Sequence, residues 1–152
     1  MTTENEIEMP KIQPLPLTKW GTRREWKLLA NWHYTLVDGT AVMVPRDFVF
    51  DGASIPRVFS RLLSPTGILF IPSLLHDHGY RRKYLFSSRP FGEFGELGGY
   101  AVLYKDETRK FWDQMFLTEA NAINGKKRLN RIAYRTIRTG GRSAWEGLQK
   151  KK

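Results

Sequence analysis

Between Trp26 and Leu36 apolar residues fall on every second position: Trp26, Leu28, Ala30, Trp32, Tyr34 and Leu36 alternate with mostly polar neighbours. A period of two marks a strand with one face buried. Asp38-Gly39 follows as a tight-turn signal. Ala41 to Val44 reads as the returning strand, and Phe48-Val49-Phe50 resumes it beyond Pro45. His33 has the opposite parity to Trp32 and Tyr34 and is expected at the surface. The period then changes. Ile71, Leu74, Leu75 and Leu85 recur at roughly helical spacing, and Pro72 suits a first helical turn, where its missing N–H would go unbonded anyway.

Two further helices follow. Lys105 to Asn124 reads as a long helix with Asp106 as N-cap, a buried stripe of Phe111, Met115, Leu117 or Thr118, and Ala122, and Gly125 as its end. Lys126 to Arg138 reads as an amphipathic helix with Leu129, Ile132, Ala133 and Ile137 inward, stopped by Gly140-Gly141; Trp145 and Leu148 then tuck the last turn onto the body. Residues 86–99 are a glycine-rich loop that resembles a lid or surface excursion, without the Lys-Ser/Thr of a phosphate loop. Tyr100 to Tyr104 is a short strand. The elements define an α+β fold: an N-terminal antiparallel hairpin or small sheet packed on about three helices. Residues 1–17, with Pro10, Pro14 and Pro16, are expected as an extended arm, 18–148 as one globular domain and 149–152 as a basic tail.

Composition narrows the classes. The 152 residues, 41% hydrophobic and 13% aromatic, suffice for one core. The absence of cysteine excludes a disulfide framework and thiolate metal sites. No apolar run is long enough for a transmembrane helix, and the acidic N-terminus does not read as a signal peptide. These features lead to the expectation of a protein made and folded in a cytoplasm. The net charge of +10 points to an anionic partner, which is nucleic acid, a membrane surface or an acidic protein face. Arg128, Arg131, Arg135, Arg138, Lys150, Lys151 and Lys152 are the residues that would gather on one basic side.

The candidate chemistry concentrates in Phe70 to Tyr84. On a helix His76 and Tyr80, four apart, share a face, while Asp77 points about a quarter-turn away. Acid and imidazole side by side on a buried helix each need a partner. A proton-transfer or metal site meets that need, and so does a core histidine bonded to a carbonyl with an aspartate paired to Arg81. Asp51-Gly52-Ala53-Ser54-Ile55-Pro56 can offer a carboxylate and several carbonyls to a hard cation, or be an ordinary Asp-Gly turn capped by serine. Asp113 lies among Phe111, Trp112, Met115 and Phe116, where an unpaired carboxylate is expensive, unless it faces solvent.

Taken together, Asp51-Gly52-Ala53-Ser54, Pro56, Pro65, Gly67, Phe70 and Leu75-His76-Asp77-His78-Gly79-Tyr80-Arg81 resemble the small secreted phospholipase A2 enzymes of bacteria and fungi. These carry an Asp-Gly-Cys calcium turn and a His-Asp-Phe-Gly-Tyr-Arg helix. Over roughly Trp26 to Trp145 the chain also resembles an uncharacterised family carried by bacteriophages and prophages. Its marks are an Asp-Gly-Ala-Ser-Ile-Pro stretch, a His-Asp-x-x-Tyr helix, a downstream helical Asp and a closing Gly-Gly near a Trp.

The resemblance implies a His-Asp helix pair at the core. His76 would be the general base, Asp113 its orienting carboxylate and Tyr80 a donor to Asp113. Asp77 and Asp51 would hold Ca2+. The implied function is a calcium-dependent lipid-ester hydrolase, or a relative that keeps the scaffold without turnover. The alternative is a non-catalytic virion component, a tail or connector protein, whose partners are neighbouring subunits or DNA rather than an anionic membrane; the location the resemblance implies is a virion or a host cytoplasm.

Overall fold

The computed structural model describes residues 7–17, 25–51, 67–90 and 99–150. It has two antiparallel sheets and three helices among those residues, an α+β fold. β1 (Ile12–Pro14), β2 (Trp26–Leu28) and β5 (Val49–Phe50) form one sheet in the order β1-β2-β5. β3 (Trp32–Thr35), β4 (Ala41–Val44), β6 (Leu85–Pro90) and β7 (Tyr100–Leu103) form the other, in that order.

The alternating run therefore makes two strands and not one. Its parity survives the break, since Leu28, Trp32 and Leu36 are all buried, but β2 and β3 belong to different sheets. The chain turns at Leu29–Asn31, where the Asn31 carboxamide accepts the Arg46 N–H at 2.8 Å. The β3–β4 hairpin closes at Asp38-Gly39, where Asp38 Oδ1 accepts the Thr40 N–H at 2.9 Å. Two segments expected to be irregular also form strands. The arm contributes β1, which pairs with β2 and so covers its open edge, and the Trp32 indole N–H donates to the Glu8 carbonyl at 2.7 Å. Leu85–Pro90, placed mostly in the glycine-rich loop, is β6, the bridge between β4 and β7.

Helix α1 (Phe70–Arg82) is the centre of the molecule, with every residue from Phe70 to Tyr80 buried. A helix surrounded on all sides has no polar face, which is why its few polar side chains must bond inside the core. It ends at Lys83, in the left-handed conformation at φ 62°, whose N–H returns to the Gly79 carbonyl at 2.8 Å. Helix α2 (Arg109–Asn124) crosses α1 so closely that a Cβ on Gly79 would collide with the Trp112 ring. Its N-cap is Thr108, which accepts the Phe111 N–H; Asp106, the expected cap, lies outside the helix at φ 57°. The buried stripe is Trp112, Asp113, Phe116, Glu119 and Ala120, rotated from the expected one, and Thr118 and Ala122 are exposed. The bulky indole at Trp112 takes the site facing Gly79, and that contact sets the helix's rotation.

Helix α3 (Lys127–Gln149) does not stop at Gly140-Gly141. Gly141 sits where α3 passes α1, and a Cβ there would crowd the Tyr80 hydroxyl at 3.0 Å. The helix continues past this crossing and brings the Trp145 ring edge-on to Tyr80, with centroids 5.1 Å apart. Ala133 and Ile137 are buried as the periodicity requires, whereas Ile132, expected inward, is 55% exposed. The α2–α3 corner is pinned by Asn130, fully buried, whose amide donates to Asn121 Oδ1 at 2.9 Å.

Candidate functional site

Helices α1, α2 and α3 bring their polar side chains together at one carboxylate, that of Asp113 on α2. His76 Nε2 lies 2.8 Å from Asp113 Oδ1, and the Tyr80 hydroxyl donates to the same oxygen at 2.5 Å. Arg138 Nη1 donates to Oδ2 at 2.7 Å, and Arg109, one turn before Asp113, has Nη1 3.9 Å from it. Both His76 and Asp113 have fully buried side chains. The helical spacing of His76 and Tyr80 places their rings one over the other, with centroids 4.0 Å apart, so one carboxylate can serve both.

Burial by itself would raise the Asp113 pKa. The hydrogen bonds from His76, Tyr80 and Arg138 outweigh it and hold the carboxyl below its usual value. The same site pushes the Tyr80 hydroxyl upward, first through burial and then through its bond to Asp113. An ionised carboxylate can only accept, so the His76 proton toward Asp113 sits on Nε2. In the neutral ring Nδ1 is then an open acceptor, and this buried atom has no hydrogen-bond partner among the described residues. A base held by a carboxylate at one nitrogen and open at the other has the arrangement needed to take a proton.

The next histidine also has a buried nitrogen, Nε2, without a hydrogen-bond partner among the described residues, but a backbone carbonyl stands where His76 has a carboxylate. His78 Nδ1 donates to the Tyr84 carbonyl at 2.9 Å, and its ring is packed between Phe48 and Tyr84. Burial lowers its pKa to about 4, so it is neutral near pH 7. It is a core residue. His33 is at the surface and pairs with Ser88 Oγ at 2.7 Å.

Asp51 and Asp77, the other expected site residues, are not among the partners of Asp113. Asp51 is ion-paired to Arg81 at 2.8 Å, and Asp77 is 3% exposed. Among the described residues no group of three or more His, Cys, Asp or Glu is placed to hold a metal. The proposed chemistry therefore rests on His76 and its partners and uses no cation. The Gly52–Arg57 turn lies outside the described residues. Arg128, Arg131, Arg135 and Lys150 are exposed along α3 and after it, and Lys151 and Lys152 lie outside the described residues. Arg138 leaves the basic face for a physical reason: it is the counter-ion of buried Asp113.

Sequence reasoning missed Arg138 in this role, and it missed Glu119. Glu119 is 3% exposed, accepts from the Tyr34 hydroxyl at 3.0 Å and from the Val37 N–H at 3.1 Å, and lies on the opposite flank of the α2 stripe from Asp113. The signal for Glu119 was available. With Trp112, Phe116 and Ala120 as the buried line, both carboxylates fall on its edges.

Fold and site together define a small α+β protein whose central buried helix carries a histidine paired with an aspartate of its neighbour. The chain belongs to the family described as "Protein of unknown function (DUF1353)", whose model matches residues 26–137. No curated protein and no solved structure matches the chain.

Proposed function

We propose that the protein is a hydrolase of lipid carboxylic esters in which His76 is the general base. The observation that carries this reading is the orphaned Nδ1 of His76, opposite a Nε2 fixed by Asp113. Nδ1 takes a proton from water as the water oxygen adds to the ester carbonyl. The same proton then passes to the departing alkoxide as the carbon–oxygen bond breaks. Asp113 orients the ring and stabilises its charged form, and Tyr80 and Arg138 hold Asp113 in place. General-base catalysis of this kind contributes about 10²–10⁴-fold. His76 is 1% exposed, so an opening step precedes chemistry.

That burial favours a second reading: the cluster as a polar staple of three helices in a non-catalytic virion component, with the exposed arginines of α3 facing an acidic partner or DNA. Fatty-acid release from anionic phospholipid vesicles, measured with calcium and with chelator, separates the two. The wild type should release fatty acid, and His76→Gln should lose at least about 100-fold while keeping its circular dichroism spectrum. No release by wild type under either condition refutes the hydrolase and leaves the staple.

A further inference from the structure

A second polar site lies on the other flank of α2, and it does not depend on the ester-hydrolase reading. The end of the β3–β4 hairpin, the β7–α2 corner and α2 line an open cavity of about 260 Å³. Leu36, Phe111 and Met115 supply its apolar surface, Tyr104 stands against Phe111 with ring centroids 5.2 Å apart, and Asp38 and Glu119 supply carboxylates. Neither His76 nor Asp113 lines it.

We propose that this cavity binds a small arylalkyl ammonium ion, a compact aromatic body carrying one amine. Charge complementarity is the first reason. The chain has 25 Lys and Arg against 15 Asp and Glu, yet the lining holds two carboxylates and no Lys, Arg or His. The second is the energetics of Glu119. Its carboxyl is buried, its two hydrogen-bond donors, Tyr34 and Val37, are neutral, and the charge of Asp38 repels it. Burial, and secondarily that repulsion, raise its pKa. An ammonium between the two carboxylates turns one repulsion into two attractions, the one toward buried Glu119 less screened by water than the one toward exposed Asp38. The third is shape. The Tyr104–Phe111 pair offers aromatic surface for a ring and for cation–π contact with the amine, and the volume suits a fragment-sized molecule.

The test follows the ¹³C-methyl signal of Met115 in the full chain as benzylammonium is added, with Met43, buried in β4, as internal control. Benzylammonium should shift Met115 saturably with a Kd of about 1 mM, as expected for a ligand of this size, and leave Met43 unmoved. Benzyl alcohol should bind at least tenfold more weakly and benzoate not at all. Asp38→Asn, which keeps the acceptor for Thr40 on an exposed turn, and Glu119→Gln should each weaken benzylammonium several-fold. Equal affinity for the alcohol and the ammonium would overturn the proposal, as would an Asp38→Asn variant that binds like wild type. n-Butylammonium, which mimics a lysine side chain, should bind tenfold more weakly than benzylammonium. Equal binding would overturn the aryl assignment and give the cavity to a lysine from a partner protein.

Discussion

Asp113 Oδ2 and Arg138 Nη1 lie 2.7 Å apart, and through this contact α3 supplies the counter-charge for a carboxylate whose other oxygen serves α1. A buried carboxylate that loses its counter-ion keeps its desolvation cost and loses the compensation. Arg138 is itself partly exposed, so the effect falls below that of a wholly buried pair. Arg138→Ala should cost about 2 kcal/mol in urea denaturation, against less than about 0.5 kcal/mol for Arg135→Ala on the solvent face. Equal costs for the two variants would show that the pair adds nothing.

The crossing of α1 and α2 predicts a contrast between two glycines. Gly79→Ala would put a methyl group inside the Trp112 ring and should destabilise the protein by about 3 kcal/mol or prevent folding. Gly140 is exposed in the middle of α3, and the space a methyl group would occupy there has no neighbour within 4 Å. Gly140→Ala should therefore stabilise the protein by up to about 1 kcal/mol. Thermal melts of both variants read the difference. A tolerant Gly79 would mean that the helices can separate at low cost.

His78 gives stability a pH dependence of definite sign. Its pKa falls from 6.5 in the unfolded chain to about 4 in the folded one, because burial disfavours the charged ring. Between those values the unfolded state binds more protons, so stability rises with pH across the window. The contribution is full above pH 6.5 and is lost as the pH falls toward 4, by roughly 3 kcal/mol in all. Glu119, whose pKa is raised, works in the opposite direction near the lower end. The comparison of wild type with His78→Asn isolates the histidine: the difference between their denaturation free energies should shrink as the pH is lowered from 7 to 4. A constant difference would contradict the assignment of His78 as a neutral core ring.

Arg128, Arg131, Arg135 and Arg142 lie on the exposed side of α3, the first three spaced by three or four residues. Such a stripe should attract anionic vesicles or DNA through a strongly salt-dependent interaction. Reversing Arg128, Arg131 and Arg135 to Glu should abolish co-sedimentation with anionic vesicles at low salt while leaving the fold intact. Binding that persists at high salt, or survives the reversal, would place the contact elsewhere.

What was legible in the chain was what local periodicity controls. The period-two run placed the buried faces of Leu28, Trp32 and Leu36, and the His76–Tyr80 spacing put both side chains on one helical face; that Asp113 would meet them was implied by the resemblance alone. What could not be read was decided by partners distant in sequence. The short gap between β2 and β3 separates two sheets only because β5 pairs with one strand and β4 with the other. Gly140-Gly141 reads locally as a helix stop. Within the helix, Gly141 faces Tyr80, some sixty positions earlier, whose hydroxyl would lie tight against an added Cβ. Arg138 looked like one more surface cation because the sequence around it is basic, and only the fold reveals the buried acid it meets.

The continuation of α3 past that crossing carries contacts that the matched region leaves out. The matched region ends at Ile137, one residue short of Arg138 and eight short of Trp145. A fragment cut at that boundary would keep His76, Tyr80 and Asp113 yet strip the carboxylate of its guanidinium and uncover the tyrosine ring that Trp145 shields. The matched segment is therefore shorter than the set of contacts around Asp113 and Tyr80 in this chain, which runs on through Trp145.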